Sequence, residues 1–193
     1  PLFEVRPVPW SPPDPAPYVG VLLTSASALR TAGPELARYL HLPAFAVGGT
    51  TARLARDAGF HSVVVGESDV TRLMGKIATL GLHRLLHFCG KDVRSFDPYG
   101  IVIDRCIVYA SEAIEPPETF RSALAEGPVA MVHSPLAAVR LAELVEPESR
   151  AHIALVAISA NAAEAAGQGW EVVAIASQPR DEAILEAAAR LYR

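Results

Sequence analysis

Two sets of residues in this chain have types and spacing suited to chemistry. The first is a series of short turns, each ending an apolar run and opening a helical one. These are Thr24-Ser25-Ala26-Ser27, Gly48-Gly49-Thr50-Thr51, Phe88-Cys89-Gly90-Lys91, His133-Ser134-Pro135 and Ser159-Ala160-Asn161. A Ser or Thr there can simply cap its helix, worth about 1 kcal/mol. Five such turns on one sheet edge suggest more, because hydroxyls beside exposed helix N–H groups suit carboxylate or phosphate. The second is Tyr109, which ends the run "CIVYAS". A phenol can protonate a leaving group when positioned and desolvated, or it can be a packed aromatic with a bonded hydroxyl.

Other chemistries lack their residues. The sequence has no GxGxxG after a strand, no phosphate loop, no CxxC, no HExxH and no GxSxG. "GKDVRS" is too short for a phosphate loop. Six histidines (His41, His61, His83, His87, His133 and His152) show no ligand spacing. His83 and His87 read as core or edge residues, and His133 alone falls at a predicted site edge. Cys89 and Cys106 lie in apolar runs and read as buried thiols. No metal and no cofactor is expected.

The turns must be held by alternating strands and helices. Apolar runs predict strands over 19–24, 44–48, 61–65, 83–88, 101–110, 128–133, 152–158 and 171–176. Helical patterns lie between them over 26–39, 49–58, 69–80, 117–126, 135–145, 160–168 and 180–192. Runs such as "HSVVVG" and "IALVAI" are continuous rather than alternating, as in parallel strands covered on both faces. The pattern predicts doubly wound α/β architecture.

The pattern also repeats. Residues 19–65 and 128–175 share one order, placing Thr24-Ser25 opposite His133-Ser134. Gly48 to Ala52 falls opposite Ser159 to Ala163, and Gly59-Phe60 opposite Gly169-Trp170. Two similar α/β lobes facing one cleft are expected. The assignment is a linker strand over 1–10, a first lobe over 11–103, a second linker strand over 104–115 and a second lobe over 116–193. The second lobe is short of sheet, so a strand-helix unit that would complete it is expected to be missing from the N-terminus of the chain.

Composition sets the class. In 193 residues, 51% hydrophobic and 20% charged content fits a folded globule rather than a disordered chain. A net charge of −4 argues against a broad basic nucleic-acid face. No apolar run reaches a membrane span, and no signal-peptide pattern is present. A cytoplasmic monomer acting on a small molecule, with neither nucleic acid nor membrane as partner, is expected.

The segments "VLLTSASALR", "FAVGGTTARLARDAGF", "LLHFCGKDVR", "CIVYASEA", "AMVHSPLAAVR", "VAISANAAEAAGQGW" and "VVAIASQP" come in an order that resembles uroporphyrinogen-III synthases over almost the whole chain. The resemblance implies a cofactor-free hydro-lyase of haem biosynthesis. Its substrate would be the linear tetrapyrrole hydroxymethylbilane, closed with inversion of ring D and loss of water through a spiro-pyrrolenine. It implies that Tyr109 is the acid for hydroxyl departure. Thr24, Ser25, Gly48, Thr50, Thr51, Cys89, Gly90, Lys91, Ser134 and Ser159 would border the substrate. Where the family often carries a Thr pair, this chain has Ser159-Ala160-Asn161-Ala162. The alternative from the same turns is a two-lobed small-anion or sugar-phosphate binding or isomerase-like protein.

Overall fold

Each apolar run becomes a strand whose N–H and C=O groups pair with a parallel neighbour, and the intervening helices cover the sheet. The computed structural model describes residues 2–66 and 69–191. The first residue of the expected linker 1–10 and the last of the expected helix 180–192 lie outside them. The chain divides into two compact units. One holds Val5–Glu112, the other the residues up to Glu4 with those from Ala113 onward.

In the first unit the strands are β1 (Phe3–Pro7), β2 (Val21–Leu23), β3 (Ala44–Val47), β4 (Val63–Gly66), β5 (Arg84–Gly90) and β6 (Val102–Ala113). Both β1 and β6 continue past the boundary of the unit. The sheet order is β1-β6-β5-β2-β3-β4, and β2 to β6 run parallel. Val8 N–H donates to Val108 O and Ile114 N–H to Leu2 O, so the segments carrying β1 and β6 run in opposite directions. Strand order reverses between β2 and β5, the position at which open α/β sheets bind ligands.

Alternate side chains from these strands fill two cores. Val21, Leu23, Leu86, Phe88 and Val108 pack on one face with helices α1 (Ala26–Thr31) and α2 (Gly49–Asp57). Leu22, Phe45 and Leu85 pack on the other with Leu73, Met74 and Ile77 of α3 (Val70–Thr79). The helix expected over 26–39 is interrupted. α1 stops at Thr31, and a 3-10 helix forms over Pro34–Tyr39, because Gly33 takes φ 70° and Pro34 cannot continue the α-helical ladder.

The second unit contains α4 (Glu118–Ala125), β7 (Val129–Val132), α5 (Pro135–Leu144), α6 (Pro147–Arg150), β8 (Ala154–Ala157), α7 (Ala160–Ala165), β9 (Val172–Ile175) and α8 (Asp181–Leu191). Its parallel sheet, β7-β8-β9, repeats the order β2-β3-β4. Paired positions of the repeat do the same work. Gly59 (φ 103°) and Gly169 (φ 95°) both make left-handed turns that only glycine enters readily. Each drops an aromatic ring, Phe60 or Trp170, into its core. The expectation that continuous valine runs are covered on both faces fails at sheet edges. Val64 and Val65 on β4, and Val172, Val173 and Ile175 on β9, are exposed because an edge strand lacks one neighbour.

Candidate functional site

The carboxyl ends of β2, β3 and β5 deliver residues to a pocket of about 270 Å³ in the first unit, and β6 adds Tyr109 from within the strand rather than at its end, because β6 continues to Ala113. Thr24, Ser25 and Tyr109 line it, with Asp92, Arg94 and Phe96. Thr24 and Ser25 follow β2 directly. Tyr109 arrives by a β-bulge: Cys89 pairs with Ile107, Gly90 pairs with Tyr109, and Val108 is skipped. Such an extra residue re-aims the side chains beyond it. The Lys91 N–H closes the junction by donating to Tyr109 O at 2.9 Å.

The hydroxyls differ in what they do. Ser25 Oγ accepts from Ser27 N–H at 3.1 Å and caps α1. Ser134 Oγ accepts from Ala137 N–H at 3.1 Å, and Ser159 Oγ from Ala162 N–H at 3.3 Å, capping α5 and α7 in the second unit. A cap uses an oxygen lone pair, so each O–H remains a donor. Among the described residues Thr24 caps no helix; its Oγ1 lies 2.9 Å from His87 Nε2.

The remaining predicted residues are placed as follows. Gly48 is the N-cap of α2 at φ 80°, without a side chain to cap it. It stands where Ser159 stands in the repeat. Thr50 is exposed in the first turn of α2, whereas Thr51 points inward and is 6% exposed. Cys89 and Gly90 belong to β5, not to a turn, because their ladder to β6 continues to Tyr109. Cys89 is 1% exposed, and burial raises its thiol pKa. Lys91 is exposed just beyond β5. His133 Nε2 lies 3.5 Å from Asp181 Oδ1 on the surface of the second unit.

Arg94, like Lys91, is legible in the sequence as a base able to anchor a carboxylate, and His87 as a core histidine; the parts of His87, Asp92 and Phe96 in the site are not. His87 sits in mid-strand, where a histidine normally reads as core. Nothing local in the sequence marks its bond to a residue 63 positions away. Asp92, Arg94 and Phe96 lie in an irregular stretch without periodicity, so no pattern predicts their orientation. Among the described residues, no cluster of three or more His, Cys, Asp or Glu side chains could hold a metal ion.

Fold and pocket together define a parallel α/β protein whose first sheet carries, at its switch point, a pocket lined by hydroxyl and charged residues together with Val47, Val70, Val93 and Phe96. A family model described as Uroporphyrinogen-III synthase HemD matches residues 1–186, and the chain belongs to that family. Among solved structures it is similar to the uroporphyrinogen-III synthetase of Helicobacter pylori 26695. The TM-score is 0.74, with 22% identity over 98% of this chain and 91% of that one. It is also similar to a mutant uroporphyrinogen III synthase of the extremely thermophilic bacterium Thermus thermophilus, with TM-score 0.50, 17% identity and coverage of 100% and 87%. At such identities the likeness is one of fold. No curated protein sequence matches significantly.

Proposed function

We propose that the chain is a uroporphyrinogen-III synthase, a hydro-lyase that closes hydroxymethylbilane with inversion of ring D. The family match across residues 1–186 carries the reading. It is supported by the grouping of Tyr109, Thr24, Ser25 and Arg94 on one pocket at the switch point.

In this reading the Tyr109 phenol gives its proton to the hydroxyl of the substrate's hydroxymethyl group. The C–O bond breaks, its electron pair leaves with water, and the terminal carbon becomes electrophilic. The ring D pyrrole attacks it, and rearrangement through the spiro-pyrrolenine gives the inverted macrocycle with no cofactor; ring D loses its α-hydrogen as a proton on re-aromatising, which balances the proton given by Tyr109. Thr24 and Ser25 donate O–H groups to substrate carboxylates, and Arg94 supplies positive charge beside them. Gly48, Thr50, Thr51, Cys89, Gly90 and Lys91 shape the neighbouring strand ends. Ser134 and Ser159 are proposed as further carboxylate contacts through the O–H that capping leaves free. Holding a flexible bilane with its ends in reach can by itself lower the barrier by several kcal/mol.

The protein is taken to act as a cytoplasmic monomer, with neither nucleic acid nor membrane as partner. Among the described residues no helix is long and apolar enough to cross a membrane. No observation favours the small-anion or sugar-phosphate alternative. Incubation with enzymatically made hydroxymethylbilane and chromatographic separation of the products tests the function. The type III isomer is expected; type I alone, at the spontaneous rate, would remove it.

A further inference from the structure

His87 is 0% exposed in the middle of β5, beside Leu22 of β2 and Arg105 of β6. Two residues that line the pocket rest on its ring. Thr24 Oγ1 lies 2.9 Å from Nε2, and the Phe96 ring meets the imidazole edge-on at 5.7 Å. Leu85, two residues earlier on the same strand, fills its buried position with an aliphatic side chain. Packing alone would be served as well at position 87 without a polar ring, whose burial is costly unless it is hydrogen-bonded. The bond it makes is to a pocket hydroxyl.

The tautomer decides what that hydroxyl can do. Among the described residues, buried Nδ1 has no hydrogen-bond partner. An orphaned N–H is the rarer defect in protein interiors; an unused acceptor is better tolerated. The single ring proton therefore belongs on Nε2, where it is bonded. Burial, aided by the positive charge of Arg105, lowers the imidazole pKa to about 4, so the ring is neutral near pH 7.

We infer that His87 is a positioning residue: its Nε2–H donates to Thr24 Oγ1, leaving the Thr24 hydroxyl hydrogen to be directed at a ligand carboxylate. With the other tautomer, Thr24 would spend its hydrogen on His87 and present only lone pairs, which repel an anion. The ligand rests on the synthase reading; the geometry does not.

Two measurements test it, and they fail separately. In 15N-labelled wild-type protein, long-range 1H–15N correlation spectra should place the ring proton on Nε2 at pH 7. A proton on Nδ1 overturns the inference whatever the protein catalyses. In cyclisation kinetics with hydroxymethylbilane, His87→Leu should raise KM roughly tenfold, as for a lost hydrogen bond to a charged group, with kcat changed much less. His87→Gln, whose amide nitrogen reaches the place of Nε2, should recover most of that loss. In the Thr24→Val background His87→Leu should add almost nothing. Independent, additive losses, or a glutamine no better than leucine, overturn it. Wild-type protein that forms no type III isomer, yet carries the Nε2 proton, removes the synthase reading while leaving the His87–Thr24 arrangement standing.

Discussion

The ring of Tyr109 lies against the α-carbon of Gly90. A β-carbon built at position 90 would stand 2.6 Å from Cε2 and Cζ of Tyr109 and 3.0 Å from its hydroxyl oxygen. The two residues are paired across β5 and β6 at the bulge, so glycine here is what lets the phenol lie where it does. Gly90→Ala must push the ring aside. The side chain can swing, so the expected loss of stability is modest, about 1–3 kcal/mol as for other overpacking substitutions. Activity should fall further, because the phenol is displaced from the pocket. Thermal denaturation read beside steady-state kinetics checks this; a variant with near-wild-type kcat would show that the ring's place over Gly90 is irrelevant to turnover.

Tyr109→Phe keeps the ring and removes the proton. Loss of a positioned general acid costs on the order of 10²–10⁴ in rate. Substitution of Thr24 or Ser25 should cost less, since each is proposed as only one of several carboxylate contacts. The expected order of kcat values therefore has Tyr109→Phe lowest. A smaller drop for Tyr109→Phe than for Thr24→Val would take the acid role away from Tyr109.

His87 makes stability depend on pH in a defined direction. Its pKa in the folded protein is about 4, below the ordinary 6.5, chiefly because burial disfavours the charged ring and secondarily because Arg105 repels it. As pH falls from 6.5 toward 4, the unfolded chain takes up a proton that the folded protein refuses. The stability present above pH 6.5 is thus progressively lost across that window, by up to about 3 kcal/mol. Urea denaturation at pH 7 and pH 4.5 should show a steeper loss for wild-type protein than for His87→Gln. Parallel losses in the two proteins would place the pH dependence elsewhere.

In the second unit, Arg150 ties together the ends of several elements. Its Nε donates to Val145 O at 3.3 Å, Nη1 to Gln168 O at 3.4 Å and Nη2 to Ala142 O. Its guanidinium carbon also lies 5.5 Å from the centroid of the Trp170 ring. A lysine keeps the charge but lacks the planar fork that reaches three carbonyls at once. Arg150→Lys should lower stability by about 1–2 kcal/mol, while the ratio of product isomers stays unchanged. Chemical denaturation together with isomer analysis reads both, and full stability in the lysine variant would show that the carbonyl contacts carry little.

What could be read in the sequence follows from how locally each feature is determined. Parallel strands and covering helices declare themselves through apolar runs and period, so the α/β class and the tandem repeat are visible without coordinates. Ser25, Ser134 and Ser159 cap their helices through bonds to N–H groups two or three residues away, which spacing alone predicts. The break at Gly33-Pro34 is also local, yet the helical apolar pattern of 26–39 masks it. Two further features depend on registers between distant segments. The bulge that sets Tyr109 over Gly90 is a mismatch between two strands, and the His87–Thr24 bond joins residues 63 apart, one in β5 and one just past the end of the neighbouring β2. Element types, the repeat and the candidate hydroxyls are legible in the chain alone, because short-range hydrogen bonding and hydrophobic period decide those. Which hydroxyl stands on a buried imidazole, and which glycine makes room for the tyrosine, emerges only in the folded protein, because strand register is settled by packing across the whole sheet.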